Sequence, residues 1–309
     1  MSTVYTVPDQ SGRRFLVTGA NSGLGREVTR RLAKAGAGVV MACRSQKKAE
    51  AARQEILSEV PGADLEIAPL DLADLGSVHA LAESIESSGR GLDVLVNNAG
   101  VMMPPERMLT TDGHELQWGS NFLGHFVLTN LLLPVLLRST TPRVTTMTSL
   151  AAKTASIDFA DLESTRKYSS QGAYGQSKLG NLLMGLHLAR VSRERGWGLV
   201  STTAHPGFTS TNLQSAGPSL GSGRSTLATR VMSLGVLPFM ETPQGASPEL
   251  MAATDPHAAN GGFYGPDGRL GITGDATQVP VYRSAQGPTL AESLWAVAAR
   301  ETGVDLPRP

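Results

Sequence analysis

A tyrosine and a lysine stand four positions apart in "AYGQSKLGN", residues 173–181, with only small or polar residues between them. On a helix, Tyr174 and Lys178 project as neighbours from one face. Glu with Lys is the ordinary structural pair at this spacing. A phenol beside an ammonium adds little stability but offers chemistry. A phenol titrates near pH ~10, too high for proton transfer at neutral pH. A fixed positive charge close by favours the phenolate and lowers that value. The spacing also arises by chance in many chains, so the surrounding elements must decide what the pair means.

A second chemical feature is "TGANSGLG", residues 18–25. It follows the short apolar strand "RRFLVT" (13–18) and opens a helix with Leu24, Val28 and Leu32 at helical spacing. Gly19, Gly23 and Gly25 fall where the backbone must turn tightly and approach a ligand, with Asn21, Ser22 and Leu24 completing the turn. Free N–H groups and the helix dipole favour a phosphate there. The Gly-x3-Gly-x-Gly spacing differs from the more widespread GxGxxG, but the strand–turn–helix context is the required one.

A third is "MACRSQKK", residues 41–48, at the end of the second strand. An NAD-binding site places Asp or Glu here to accept from the ribose 2′-hydroxyl. This chain has Arg44 and Ser45, then Lys47 and Lys48, with no acid before Glu50. A guanidinium can grip a 2′-phosphate with two parallel hydrogen bonds. The expectation is therefore NADP(H) in preference to NAD(H).

The elements that must position these residues alternate. Strands are expected at 38–43, 65–70, 92–98, 143–149 and 198–207, with helices between them, including long ones over roughly 112–137 and 172–195. Such alternation predicts a doubly wound parallel sheet, a Rossmann-type α/β fold. One domain spans 13–309 behind an irregular arm, 1–12. Residues 208–275, rich in Gly and Ser and then apolar, are expected to contain a substrate flap. "GGFYGPDG" (261–268) reads as a final strand and turn, and "TLAESLWAVAAR" (289–300) as an amphipathic helix. "VMMPPERM" (101–108) and "VMSLGVLPFM" (231–240) offer soft surfaces for a bulky apolar ligand.

Composition excludes several classes. Among 309 residues, 27 basic side chains balance 27 acidic ones, which leaves no electrostatic footprint for nucleic acid. The single cysteine, Cys43, excludes an intramolecular disulfide and reads as a small apolar filler. No His, Asp or Glu cluster has metal-ligand spacing, so no metal is expected. Glu115 and Asp112 read as solvated helix residues. His205 reads as packing, and Thr148 as pointing to the strand face opposite Ser149. The apolar run "FVLTNLLLPVLL" (126–137) is too short to span a membrane. Neither a secretory signal nor an anchor is seen in the first residues, so a cytoplasmic chain is expected.

"TGANSGLG", "NNAG" (97–100), Ser149 and "YGQSK" (174–178) together resemble, in order and spacing, the short-chain dehydrogenase/reductase family. The resemblance spans about residues 13–210. It implies that Tyr174 is the proton donor or acceptor. Lys178 lowers the Tyr174 pKa and binds the nicotinamide ribose, so both residues also line the cofactor. Ser149, at the end of the fifth strand, donates to the substrate oxygen. The backbone carbonyl of Asn121 holds a water that relays protons to Lys178. Asp71 and Leu72 meet the adenine, and Asn98, Ala99 and Gly100 its ribose. Pro206 and Gly207 abut the nicotinamide, and Thr209 touches the carboxamide or pyrophosphate.

Ser149 and Tyr174 lie 25 positions apart, where most of the family keep about a dozen. With "NFLGHFVLTNLLLP" (121–134), this insertion looks like the retinol dehydrogenase, WW-domain oxidoreductase and protochlorophyllide reductase branch. The implied activity is hydride transfer between NADP(H) and the carbonyl or alcohol of a bulky apolar small molecule. Reduction of a C=C bond and a non-catalytic NADP(H) sensor are the alternatives. A sugar-nucleotide epimerase fits less well, because its loop is typically GxxGxxG. The family often dimerises through its long helices, so a homodimer is expected.

Overall fold

The computed structural model describes residues 3–209 and 239–307. Its parallel strands are β1 (Arg14–Thr18), β2 (Gly38–Cys43), β3 (Leu65–Pro69), β4 (Val94–Asn97), β5 (Arg143–Met147), β6 (Val200–Ala204) and β7 (Phe263–Pro266). β8 (Ala276–Gln278) pairs antiparallel with β7, and the sheet order is β3-β2-β1-β4-β5-β6-β7-β8. The expected parallel sheet therefore carries one antiparallel edge strand, of three residues, that the sequence pattern did not reveal. The order reverses between β1 and β4, the switch point at which open α/β sheets hold ligands.

Helices cover both faces, which is why β1, β2 and β4 are nearly continuous apolar runs. On one face, α1 (Gly23–Lys34) and α2 (Gln46–Glu59) pack Leu32 and Ile56 over Phe15, Val39 and Val96. α6 (Ser247–Thr254) joins this layer through Leu250 and Ala253. On the other lie α3 (Leu75–Ser87), α4 (Gly124–Leu136), α5 (Ser170–Arg195) and α7 (Pro288–Thr302). β5 and β6 are richer in threonine, and Thr145 and Thr202 satisfy each other across the strands at 2.9 Å.

The helical stretch expected from 112 begins later. Residues 109–115 form a turn closed by a bridge between Leu109 and Glu115. The helix then opens with a widened π segment, Trp118–Leu123, before α4 proper. Trp118–Leu136 is the one helix among the described residues long and apolar enough to cross a membrane, yet 89% of it is buried inside the protein.

α7 lies across α4 and α5. Trp295 meets Phe126 edge-on with centroids 4.7 Å apart and stacks on His187 at 4.7 Å. The N-terminal arm is held as well: the Tyr5 N–H donates to Ser247 Oγ at 3.1 Å. Of the flap expected over 208–275, residues 210–238 lie outside the described residues. Residues 247–254 and 263–266 of that stretch form α6 and β7, buried parts of the main body.

Candidate active site

The candidate residues gather along the carboxyl edge of the sheet. Gly19 turns the chain out of β1 with φ +68°, and its N–H donates to Ala42 O at 2.8 Å. α1 starts so close beneath that a Cβ on Gly25 would sit 2.3 Å from Gly19 O, so only glycine fits. Ser22 caps α1 in extended conformation, but its hydroxyl makes no capping bond, leaving the first-turn N–H groups to an incoming anion. Thr18 Oγ1 accepts from the N–H groups of Asn98 and Ala99, both at 2.9 Å. Asn98 Nδ2 returns a bond to Thr18 O at 2.7 Å. These contacts lock the β1 and β4 turns together across the switch point. Leu24 is half-buried against the α1 layer. The Cys43 thiol accepts from the backbone of Ala20 and Asn21, and burial pushes it up to about 11, so it packs and does not react.

Arg44 follows β2 with 70% of its side chain exposed, 4.0 Å from the Asp71 carboxylate. Ser45 is partly committed, because its hydroxyl caps α2 by accepting from Lys48 N–H at 3.4 Å. Asp71 is itself held, its Oδ1 accepting from Ala73 N–H and its own N–H donating to Ser77 Oγ. Leu72 is buried beneath it. Glycine turns with uncapped N–H groups, an exposed guanidinium and this carboxylate together fit a nicotinamide dinucleotide.

Tyr174 and Lys178 do share one face of α5. The Tyr174 phenol lies near the Ser149 hydroxyl, which draws its pKa down, and Ser149 Oγ accepts from Ala151 N–H at 3.2 Å. Thr148 points the other way, as strand alternation requires, and donates to Lys178 O at 2.6 Å. Lys178 Nζ donates to Met147 O at 3.3 Å and lies so near Gly100 that a Cβ there would be 3.3 Å from it. Burial lowers the Lys178 ammonium to about 8, opposed by the Glu249 carboxyl.

Burial raises the Tyr174 phenol above its usual value, and the Ser149 hydroxyl draws it down. The Lys178 ammonium, one turn away, is turned to the Met147 carbonyl.

Asn121 sits in the π segment. Its Oδ1 accepts from Val101 N–H at 2.7 Å, and its Nδ2 donates to Val101 O and Ser177 Oγ. The π widening turns its backbone carbonyl to His125 Nδ1 at 2.8 Å. The tautomer follows from the partners. Thr18 Oγ1 already accepts two N–H groups, so it donates to His125 Nε2 at 3.0 Å and Nδ1 carries the proton. Full burial holds His125 neutral, down at about 3. The carbonyl expected to hold a relay water thus has one lone pair already taken. His125 was missed in the sequence, although its spacing of four from Asn121 was visible.

Beyond β6, Gly207 adopts φ +62°, and a Cβ there would clash with Ile272 O at 2.4 Å. Its N–H donates to Nδ1 of His205, a buried neutral ring among Phe263 and Tyr282, lowered to about 4 by burial. Packing is thus its role. Thr209 is buried and donates to Pro206 O at 2.6 Å. Phe208 stacks on Phe239 at 5.0 Å, adding aromatic surface beside these turns. Gln117, unnoticed in the sequence, ties two loops: its Oε1 accepts from Met103 N–H and its Nε2 donates to Ser170 O.

Glu115 is not solvated. It is fully buried, and its carboxylate accepts from Trp118 N–H at 2.7 Å, capping the helix start. Asp112 is exposed and accepts from Leu75 N–H. A polar cleft of about 450 Å³ opens along the insertion, lined by Thr154, Asp158, Lys167 and Gln171. It includes Gly175 and Gln176 but not Ser149, Tyr174 or Lys178, so it is separate from this constellation.

Comparison with known proteins agrees with this geometry. Residues 13–218 match the profile of the short chain dehydrogenase family. Retinol dehydrogenase 13 of Homo sapiens is 37% identical over 305 residues, covering 98% of this chain and 87% of that protein. Polyprenol dehydrogenase of Mus musculus is 38% identical over 302 residues, covering 95% and 86%. The crystal structure of an uncharacterized protein from Mycobacterium Paratuberculosis superposes with TM-score 0.80 at 37% identity, covering 99% of this chain and 100% of that one. The chain therefore belongs to the short-chain dehydrogenase/reductase family of nicotinamide-dependent oxidoreductases, in its retinol dehydrogenase-like branch.

Proposed function

We propose that this oxidoreductase uses NADP(H) and acts on the carbonyl or alcohol of a bulky apolar molecule. The observation that carries the reading is the placement of Tyr174 beside Ser149, one helical turn from Lys178, at the carboxyl edge of the sheet. The bound nicotinamide supplies or accepts the hydride. Ser149 donates to the substrate oxygen, where negative charge gathers on reduction. Tyr174 hands its proton to that oxygen, and Lys178 and the Asn121 carbonyl, beside it, are the route of resupply. The exposed Arg44 holds the 2′-phosphate, and Gly19, Ser22 and Gly25 cradle the pyrophosphate.

Apolar substrates are supported by the aromatic pair Phe208–Phe239 and by half-buried Met102 and Met103 near Gly100. Two relatives are named for retinol and polyprenol, both long apolar alcohols. The test follows NADPH oxidation with apolar aldehydes and ketones, with product analysis to separate C=O from C=C reduction. Tyr174→Phe should keep NADPH binding and lose roughly a hundredfold or more in kcat. Turnover of the wild type no faster than that of Tyr174→Phe would overturn the reading.

A further inference from the structure

The turn before the π segment, the insertion and the last helix meet at a point outside the active site. There His114, Glu163 and Glu301 bring one ligand atom each to within 4.8 Å of one another. The three are far apart in sequence, so no motif spacing announces them.

Glu163 is already fixed in place. Its Oε1 lies 2.7 Å from His114 Nδ1, and its Oε2 accepts from Glu115 N–H. Its backbone carbonyl accepts from Arg107 Nε at 2.8 Å. Glu301 reaches in from α7 on the exposed side. The buried indole N–H of Trp118 lies against the Glu301 carboxyl and lowers its proton affinity, yet closes no full hydrogen bond. The buried Glu115 carboxylate adds a third negative group close by, with one oxygen unpartnered.

Acidic side chains at this point outnumber the cations paired with them. Among the described residues, no Arg or Lys forms an ion pair with Glu115, Glu163 or Glu301; the only ion pair is His114 with Glu163. Arg300 acts on Glu301 through space only, and Asp112 adds further negative charge.

We propose that His114, Glu163 and Glu301 form a binding site for a divalent first-row transition cation of the Zn2+ class. One imidazole nitrogen and two carboxylate oxygens are a borderline-soft set, unlike the all-oxygen shells of Ca2+ or Mg2+. Ligands at ~2.1 Å from a tetrahedral ion stand ~3.4 Å apart, so the set closes when His114 Nδ1 and Glu163 Oε1, now 2.7 Å apart, open slightly and the exposed Glu301 shifts inward. The ion displaces the proton shared by His114 Nδ1 and Glu163 Oε1, and that proton leaves to solvent. Water takes the fourth position. The Trp118 N–H and the Glu115 N–H then orient the two carboxylates from behind. The bound ion clasps α7 to the insertion and to the turn that starts the Asn121 helix.

Untagged full-length protein is titrated with ZnCl2 by calorimetry, and with CoCl2 for visible absorption. One ion should bind per chain with a rise in Tm, and Co2+ should give tetrahedral bands. Glu301→Gln, on the exposed rim where folding is not at risk, and His114→Ala should each weaken Zn2+ binding by roughly tenfold to a hundredfold and remove the Co2+ bands. Activity with saturating NADPH should be unchanged in Glu301→Gln. Absence of binding at about 100 μM Zn2+, or equal affinity in wild type and both variants, would overturn the site.

Discussion

Replacing Glu249 by Gln removes one buried proton-binding group while keeping its shape. Glu249 lies in α6, on the sheet face opposite α5, fully buried and with neither carboxylate oxygen hydrogen-bonded. Burial pushes its carboxyl from 4.5 up to about 8, against the pull of the Lys178 ammonium. The native protein therefore keeps a proton that the unfolded chain releases above about pH 4.5. For an acid raised in this way, stability is fully present below the unfolded value and is lost as pH rises toward the folded one. Each pH unit in that window removes ~1.4 kcal/mol. From about pH 5.5 to about pH 7.5, Glu249 should lower the unfolding free energy by roughly 2.5 to 3 kcal/mol. Apart from Lys178, whose ammonium loses the pull of the Glu249 carboxyl in the variant, other titrating groups contribute equally to both, so the difference between them reports this buried pair. Urea unfolding at both pH values supplies the numbers. Glu249→Gln should lose less stability across the interval by that amount. A wild-type-minus-variant difference that stays constant within about 0.5 kcal/mol would show that Glu249 is not a buried neutral acid.

Arg44→Asp should weaken NADP(H) binding by ~1.5–3 kcal/mol, roughly tenfold to a hundredfold, while sparing NAD(H). Equal kcat/KM for the two cofactors in the wild type, or an unchanged ratio in the variant, would refute the phosphate role. His125→Phe leaves the Thr18 hydroxyl only the long 3.4 Å bond to Val96 O and takes the imidazole from the Asn121 carbonyl, and should cost about 1–3 kcal/mol in urea unfolding. His125 is lowered from 6.5 to about 3, so its share of stability is full above the unfolded value and falls away as the solution is acidified below it. The variant should accordingly show a flatter acid limb between about pH 6.5 and about pH 4, and an unaltered limb would count against the neutral bridge.

What could be read in the sequence was local chemistry. The glycine turn was legible because positive φ at Gly19 and the absent Cβ at Gly25 are properties of single residues. The Tyr174–Lys178 face was legible because helical periodicity fixes it. Features that depend on distant partners were not. Glu115 read as solvated because nothing nearby in sequence shows that Glu163 and Trp118 enclose it. β8 has three residues and half-exposed side chains, too few for a period to register. The Met147 carbonyl that the Lys178 ammonium meets was not legible, because it lies a strand away. Glu249 and the His114, Glu163 and Glu301 group exist only once the layers close.

The packing of α7 also sets an order of assembly. Phe126 and His187 emerge on the order of a hundred residues or more before Trp295, the ring that covers both. Until α7 is made and docks, α4 and α5 present an apolar surface to everything else in solution. Such surfaces recruit other incomplete chains or a chaperone. The central strands and their first helices can meanwhile form, because their contacts are nearer in sequence. α7 therefore closes last, and when it is late or loosened the failure to expect is misassembly through the bare helices, with the nucleotide cradle at the far side of the sheet already built.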